Sequence, residues 1–165
     1  MELRILQYFL AVAREQSISA AAESLHLSQP TLSIQLKALE EELGKQLLIR
    51  GTKGSRKVLL TDEGMILRKR AEEILTLVQK AKSEVQMTDA SIAGDVYIGA
   101  GETDIIRYFA RAAKRMKKSC PDIRYHISSG NAQFVTEQLD KGLIDFGLMY
   151  GPVDRTKYEA LTLPI

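Results

Sequence analysis

Between residues 67 and 88, apolar side chains recur at alternating spacings of four and three, and this run constrains the fold more than any other feature. Such a pattern is the a/d seam of a coiled coil, sustained here over about three heptads. The seam positions are Leu67, Ala71, Ile74, Val78, Ala81, Val85 and Thr88. The pattern predicts one helix over residues 62–90, capped by Thr61 and Asp62 and about 40 Å long.

A helix of that length cannot bury its seam against one small domain, so we expect a second copy of the helix to cover it. Residues 61–91 are therefore predicted to be the dimerising linker of a homodimer. The alternative is a long helix that lies on its own domain. Residues 1–60 and 94–165 are predicted to be separate domains on either side of it.

Three short helices are predicted within residues 1–60, and the third is the most informative. Ser28 is the expected N-cap of this third helix, Pro30 lies in its first turn and Gly44 ends it. Its buried stripe is predicted to be Leu32, Leu36, Leu39 and Leu43. A tight turn before such a helix is typical of a helix-turn-helix.

The other side of the third helix carries hydroxyl and amide groups at its tip, with no acidic residue in the first two turns. In a helix-turn-helix this part enters the major groove of DNA, where such groups can bind base edges or phosphates. Ile34 is either a contact to a thymine methyl group or an incidental exposed side chain. The predicted contacts are Ser28, Gln29, Pro30, Thr31, Ser33, Ile34 and Lys37.

Two short β-prone runs joined by a glycine-rich basic turn follow, which predicts a two-stranded wing. Residues 44–60 contain no acidic residue. The basic residues Arg50, Lys53, Arg56 and Lys57 are predicted to contact phosphates or the adjacent minor groove. The alternative is a solvated hairpin.

Beyond residue 94 the pattern changes to alternating strands and helices, which predicts a parallel sheet. Strands are expected at residues 95–100, 123–128, 143–151 and 159–165, and helices at residues 103–118 and 132–141. The first of these helices is predicted to turn Ile105, Ile106, Phe109 and Met116 inward. About 70 residues are few for an α/β domain with both sheet faces covered, so we expect the chain to be a fragment of a longer protein.

Composition excludes several other classes of protein. An apolar fraction of 45% with 27% charged residues fits a soluble globular chain, without a membrane span or signal peptide. One cysteine, Cys120, and two histidines offer no disulfide and no metal-ligand spacing, so we expect a cytoplasmic protein without a metal or other cofactor. No nucleophile–base pair, carboxylate pair or phosphate loop predicts an enzyme, and "GAGE" at residues 99–102 is too short for a dinucleotide fingerprint.

Residues 21–40 carry the pattern A-A-x-x-L-x-x-S-Q-P-[ST]-[LV]-S-x-Q-[IL]-x-x-L-E, which resembles the LysR-type transcriptional regulators. A second stretch with that family's LGxxLxxR…LTxxG pattern is formed by Leu43, Gly44, Leu47, Arg50, Leu60, Thr61 and Gly64. The resemblance implies a mainly α winged helix-turn-helix with a long dimerising linker helix, followed by a partial α/β domain like the periplasmic binding proteins. In that family the second domain has two lobes, and we expect residues 94–165 to form only part of the first.

The resemblance also implies site residues. It assigns Gln29, Pro30, Thr31, Ser33 and Gln35 to the recognition helix and Arg50 to the base of the wing. The effector-binding loops would be formed by Gly101, Glu102, Thr103, Ser128, Ser129, Gly130 and Asn131. Helix N-termini in those loops would suit an anion, although Thr103 and Asn131 are also ordinary helix caps. Ile34 departs from the family, which often has arginine or histidine there.

These features predict a sequence-specific DNA-binding transcriptional regulator, controlled in its full-length form by a small-molecule effector. The expected partners are double-stranded DNA, a second copy in a homodimer or further copies in a tetramer, and the effector. The alternative is a truncated decoy that heterodimerises with a full-length relative through the linker seam.

Overall fold

The computed structural model describes residues 1–51, 57–86, 92–101, 104 and 106–162. The chain divides into two compact units, residues 1–79 and residues 80–165. Within the described residues no helix is both long and apolar enough to cross a membrane.

The first unit is mostly helical. Its elements are α1 (Leu3–Glu15), α2 (Ile18–Ser24), α3 (Gln29–Leu43), β1 (Leu48–Arg50), β2 (Val58–Leu60) and the first part of α4 (Asp62–Gln86). Helix α3 begins and ends where the sequence predicts. The Ser28 hydroxyl accepts a hydrogen bond from the Thr31 amide at 3.2 Å, and Gly44 takes a left-handed conformation with a φ of 64°.

The core of this unit lies beneath α3. Three of the four predicted leucines, Leu32, Leu36 and Leu39, are buried there beside Phe9 and Val12 of α1. The prediction for Leu43 is wrong, because that side chain is 41% exposed in the last turn of the helix. The core fixes the side of α3 that faces outward.

The predicted wing is present as an antiparallel pair. Leu48 of β1 pairs with Leu60 of β2, and Arg50 pairs with Val58. One carboxylate joins this wing to α3, since Glu40 Oε1 accepts hydrogen bonds from the amides of Leu47 and Leu48 at 2.8 and 3.1 Å. The position of β1 relative to α3 is therefore held by hydrogen bonds as well as by apolar packing.

Thr61 caps α4, as the sequence predicts. Its hydroxyl accepts a hydrogen bond from the Gly64 amide at 2.9 Å and donates one to the Gln46 carbonyl at 2.8 Å. A Cβ at Gly64 would lie 2.2 Å from the Leu47 carbonyl oxygen. Only glycine lets the first turn of α4 approach the wing this closely.

The second unit has an α/β pattern. Its elements are the last part of α4, β3 (Gly94–Ala100), α5 (Ile106–Ser119), β4 (Ile123–Ser129), α6 (Ala132–Asp140) and β5 (Phe146–Leu148). The sheet has the order β4-β3-β5, and both pairings are parallel, as the alternating pattern predicts. The predicted last strand is not seen in residues 159–162, and residues 163–165 lie outside the described part of the chain.

Helices α5 and α6 contact this sheet to different depths. Val135 of α6 is buried. If Gly99 of β3 carried a Cβ atom, that atom would lie 3.2 Å from Cγ1 of Val135, so α6 packs closely on β3. In α5, the Phe109 ring contacts Tyr125 of β4 edge-on, at 5.4 Å between centroids. Met116 of α5 was predicted to point inward and is 47% exposed, because only the first part of α5 packs closely.

A charged cluster lies along β3 and β4. The Asp95 carboxylate, on a side chain that is 5% exposed, accepts two hydrogen bonds from the Arg124 guanidinium, at 2.7 and 2.8 Å, and its Oδ1 lies 2.6 Å from His126 Nε2. These two partners, Arg124 first, hold the pKa of Asp95 well below its usual range despite burial. The carboxylate therefore stays ionised at neutral pH and ties β3 to β4.

Candidate nucleic-acid interface

The tip of α3 lies on the surface of the first unit, opposite its leucines. The exposed predicted residues there are Ser28, Gln29, Pro30, Thr31, Ile34 and Lys37, whereas Ser33 and Gln35 are half-buried. The structure therefore brings together all eight residues that the sequence analysis assigned to this helix. Which of them touch a ligand stays a prediction.

The Gln29 side chain is oriented by a neighbour one helical turn away. Its Nε2 donates a hydrogen bond to Ser33 Oγ at 2.8 Å. A primary amide has two N–H donors and a carbonyl acceptor, so this contact leaves one donor and the acceptor for a ligand. That pair of groups matches the N7 and N6 edge of adenine.

Ser28 and Thr31 form a second polar pair at the tip. Their hydroxyl oxygens lie 2.7 Å apart, in addition to the cap from the Thr31 amide to Ser28. The hydroxyls thus complete the first turn of α3 while remaining exposed. A phosphate or a base edge could accept from or donate to them without breaking the helix.

Ile34 and Lys37 lie farther along the same side of α3. Ile34 is 65% exposed, so the expectation that it points away from the core is confirmed. Lys37 Nζ lies 3.5 Å from a Glu41 carboxylate oxygen, a surface ion pair that solvent screens strongly. The lysine remains accessible to an incoming phosphate.

Two of the four predicted wing residues, Arg50 and Lys57, belong to the described part of the chain. Arg50 is exposed, and its Nη2 lies 3.5 Å from Glu40 Oε2, so this arginine already has an acidic partner. Lys57 is exposed beside β2. Lys53 and Arg56 lie outside the described residues, and their predicted phosphate contacts stay predictions.

Glu40 is a positioning residue that the sequence analysis missed. Its carboxylate binds two amides of the wing and lies beside Arg50, and its side chain is 15% exposed. The sequence analysis assigned no role to Glu40. Its partners are backbone amides seven and eight residues later. Almost every residue type carries a backbone amide, so the sequence does not identify these partners.

The predicted dimerisation seam becomes more exposed along α4. Leu67 packs against the core of the first unit, and Ala71 is buried within the chain. Ile74 and Val78 are half-buried, Ala81 is exposed, and Val85 is 85% exposed. Neighbours within one chain thus cover the first two positions, while the later ones are open to a partner; Thr88 lies outside the described residues.

The predicted effector loops lie at the carboxyl ends of β3 and β4. Ser128 and Ser129 are the last residues of β4 and not part of a loop, and the Ser128 hydroxyl donates to the Ile98 carbonyl at 3.3 Å. The amide of Gly101 donates to Leu148, and that of Gly130 donates to Ala100. Both amides already have partners, so they are not free to bind an anion.

Asn131 is the N-cap of α6, which is the capping role that the sequence analysis left open for it. Its Oδ1 accepts a hydrogen bond from the Phe134 amide at 2.8 Å. Glu102 and Thr103 lie outside the described residues. Among the described backbone amides of these loops, those of Gly101 and Gly130 already have partners within the sheet.

Comparisons with known proteins agree with this architecture. Residues 3–65 match the bacterial regulatory helix-turn-helix proteins of the lysR family, and residues 89–164 match the LysR substrate binding domain. The chain is 36% identical over 145 residues to the HTH-type transcriptional regulator BsdA of Bacillus subtilis, and 37% identical over 147 residues to the HTH-type transcriptional regulator BenM of Acinetobacter baylyi. These alignments cover 88% and 89% of this chain, and 49% and 47% of the two relatives.

A solved structure is also similar. Full-length CbnR complexed with its target DNA matches with a TM-score of 0.69 and 28% identity, over 89% of this chain and 49% of that one. The chain thus spans about half the length of the relatives that it matches. Both halves of the sequence match parts of one kind of regulator, and the chain belongs to the LysR family of bacterial regulatory helix-turn-helix proteins.

Proposed function

We propose that this chain carries the DNA-reading part of a sequence-specific transcriptional regulator. Helix α3 enters the major groove, where Gln29, Thr31 and Ser33 face base edges and Ile34 faces a thymine methyl group. The wing residues Arg50, Lys53, Arg56 and Lys57 bind phosphates beside it. Membership of a family of regulators and the similarity to CbnR on its target DNA support this proposal.

The oriented Gln29 amide is the observation that carries the proposal. Base reading requires a donor and an acceptor held at fixed positions, and the Ser33 contact restricts the side chain before any ligand arrives. The leucines beneath α3 hold the backbone in place as well. A glutamine side chain without such a contact would lose more conformational entropy on binding than Gln29 does.

The regulator is proposed to act as a homodimer through the exposed part of the α4 seam. Ala81 and Val85 lie on this surface beside the half-buried Val78, and an aliphatic side chain as exposed as Val85 favours a partner helix. Paired recognition helices would then read two half-sites. Further copies could extend this dimer to a tetramer.

The second unit is proposed to take part in binding a small-molecule effector in the whole protein. The match of residues 89–164 to a substrate binding domain supports this role. Gly101, Glu102, Thr103, Ser128, Ser129, Gly130 and Asn131 are the proposed site residues. We propose a cytoplasmic location and no catalytic activity, and no described feature favours the alternative of a heterodimerising decoy.

Substitution of Gln29 tests the base-reading role. A duplex is first selected from a random pool with the chain itself, and binding of the selected and scrambled duplexes is then measured by fluorescence anisotropy. Gln29→Ala should weaken binding of the selected duplex by about 1–3 kcal/mol, because one bidentate base contact is lost. Binding of the scrambled duplex should hardly change.

Gln7→Ala is the matched control, since Gln7 is an exposed glutamine on α1 of the same unit. It should leave both affinities unchanged. An equal loss for both duplexes with Gln29→Ala would exclude base reading by this residue. A random pool that yields no preferred sequence would overturn the proposed function itself.

A further inference from the structure

Helix α5 carries an unusual concentration of positive charge in the second unit. It has fourteen residues, six basic and none acidic. The basic residues are Arg107, Arg111, Lys114, Arg115, Lys117 and Lys118. Four of them recur at spacings of four, three and four, and therefore form one stripe along the helix. We call this the basic stripe: Arg107, Arg111, Lys114 and Lys118.

The basic stripe faces away from the sheet. All four of its residues are exposed, whereas Ile106, Phe109 and Ala113, on the opposite side of the helix, are half-buried. The contact of Phe109 with Tyr125 identifies the side that lies on β4. Eleven residues separate the ends of the stripe, so it is about 16 Å long.

Most of these cations lack an ion-pair partner among the described residues. Arg107 lies 3.5 Å from Asp104, but none of the other five basic residues of α5 forms an ion pair there. Helix α4 differs, because Arg68 lies 3.1 Å from Glu72, and Arg70 lies 2.7 Å from Glu73. A solvated helix surface normally mixes signs in this way, whereas like charges one turn apart destabilise a helix.

From this arrangement we propose that the basic stripe binds the phosphate backbone of double-stranded DNA without reading its sequence. The proposal rests on the proposed function and deepens it, by giving the bound duplex a second contact outside the bases read by α3. Phosphates recur about every 3.4 Å along the axis for each strand, so a 16 Å stripe spans several of them. Flexible lysine and arginine side chains suit such a ladder.

An acidic protein surface fits the basic stripe less well. Interfaces between proteins have apolar or aromatic centres and are depleted in lysine. No aromatic or large apolar side chain lies within the stripe, because Tyr108 and Met116 fall outside it on the helix surface. Charge without an apolar centre is typical of phosphate contacts.

The test compares two double substitutions that each remove two positive charges from the chain. Arg111→Gln with Lys114→Gln neutralises the stripe, and Lys82→Gln with Arg155→Gln neutralises two other exposed basic residues of the second unit. Glutamine retains helix propensity, and the four side chains form no ion pair with a described residue. Arg111→Lys keeps the charge and controls for a structural role of the guanidinium group.

The measured quantity is the slope of log K against log salt concentration, for selected and scrambled duplexes of equal length. The stripe variant should flatten the slope by about 1.8 for each chain in contact, because each lost phosphate contact contributes about 0.9. The Lys82/Arg155 variant and Arg111→Lys should keep the wild-type slope. The ratio of selected to scrambled affinity should not change.

A stripe variant with the wild-type slope on both duplexes would overturn the proposal, and it would leave an acidic protein as the partner to seek. A wild-type chain that does not discriminate between the two duplexes would instead overturn the proposed function. The slope change alone would then still establish the phosphate contact. The two failures are therefore distinguishable.

Discussion

Helices α3 and α5 both present one side to solvent, but they differ in what lies beneath and what is displayed. Under α3 three leucines are buried, and its tip displays hydroxyl and amide groups. None of the residues of α5 is buried, and its surface displays cations. This difference matches the two proposed kinds of DNA contact, which are selective for α3 and independent of sequence for α5.

The physical basis of this division is the range of the two interactions. A hydrogen bond to a base edge weakens when the donor moves by more than about 0.5 Å, so the helix that bears it must be held firmly. Attraction between a cation and a phosphate falls off over a Debye length of about 8–10 Å. A shallowly packed helix is therefore sufficient to attract phosphates but insufficient to hold a donor against a base edge.

The largest expected effect comes from removing the packing beneath α3. Leu36→Ala should lower the free energy of unfolding by about 2–5 kcal/mol, because it leaves a cavity in the core. Phe109→Ala in α5 should cost less, since that ring is only half-buried. Urea unfolding followed by circular dichroism measures both changes. Leu43→Ala, at an exposed leucine of α3, is the control; a larger loss for Phe109→Ala would contradict the comparison.

A smaller effect is expected at the helix caps. Ser28→Ala and Asn131→Ala each remove a side-chain acceptor from the first turn of a helix, in α3 and α6 respectively. Each should lower stability by about 1 kcal/mol. Only Ser28→Ala should also weaken binding of the selected duplex, because its hydroxyl lies at the proposed interface. Equal binding by both variants would mean that the first turn of α3 does not touch DNA.

The smallest expected effect is the loss of affinity when the thymine methyl group proposed to contact Ile34 is removed. Replacing single thymines of the selected duplex by deoxyuridine removes one methyl group at a time. At the position that Ile34 contacts, the loss should be about 0.8 kcal/mol for the wild-type chain and near zero for Ile34→Ala. Anisotropy titrations of both proteins with both duplexes give the coupling energy between the Ile34 side chain and the thymine methyl group. No coupling at any thymine would make Ile34 an incidental exposed side chain.

The sequence predicts helix α3 well because its signals are local. The cap at Ser28, the stop at Gly44 and the spacing of the leucines depend on neighbours within four residues. The burial of Leu43 and Met116 was mispredicted, because helical periodicity shows which side is apolar but not how far the covering surface extends. The two glycine amides at the proposed effector loops donate to strands that are distant in sequence, so no local pattern identifies their partners.

Glu40 has a consequence for genetics. Its carboxylate accepts hydrogen bonds from the Leu47 and Leu48 amides and lies beside Arg50, so a single substitution there would disturb both elements of the proposed DNA interface at once. Screens for loss of operator binding would recover alleles at this codon together with those at true contact positions. An allele map of the gene would then show an acidic residue among positions proposed to lie near phosphates, although its carboxylate only positions α3 and the wing.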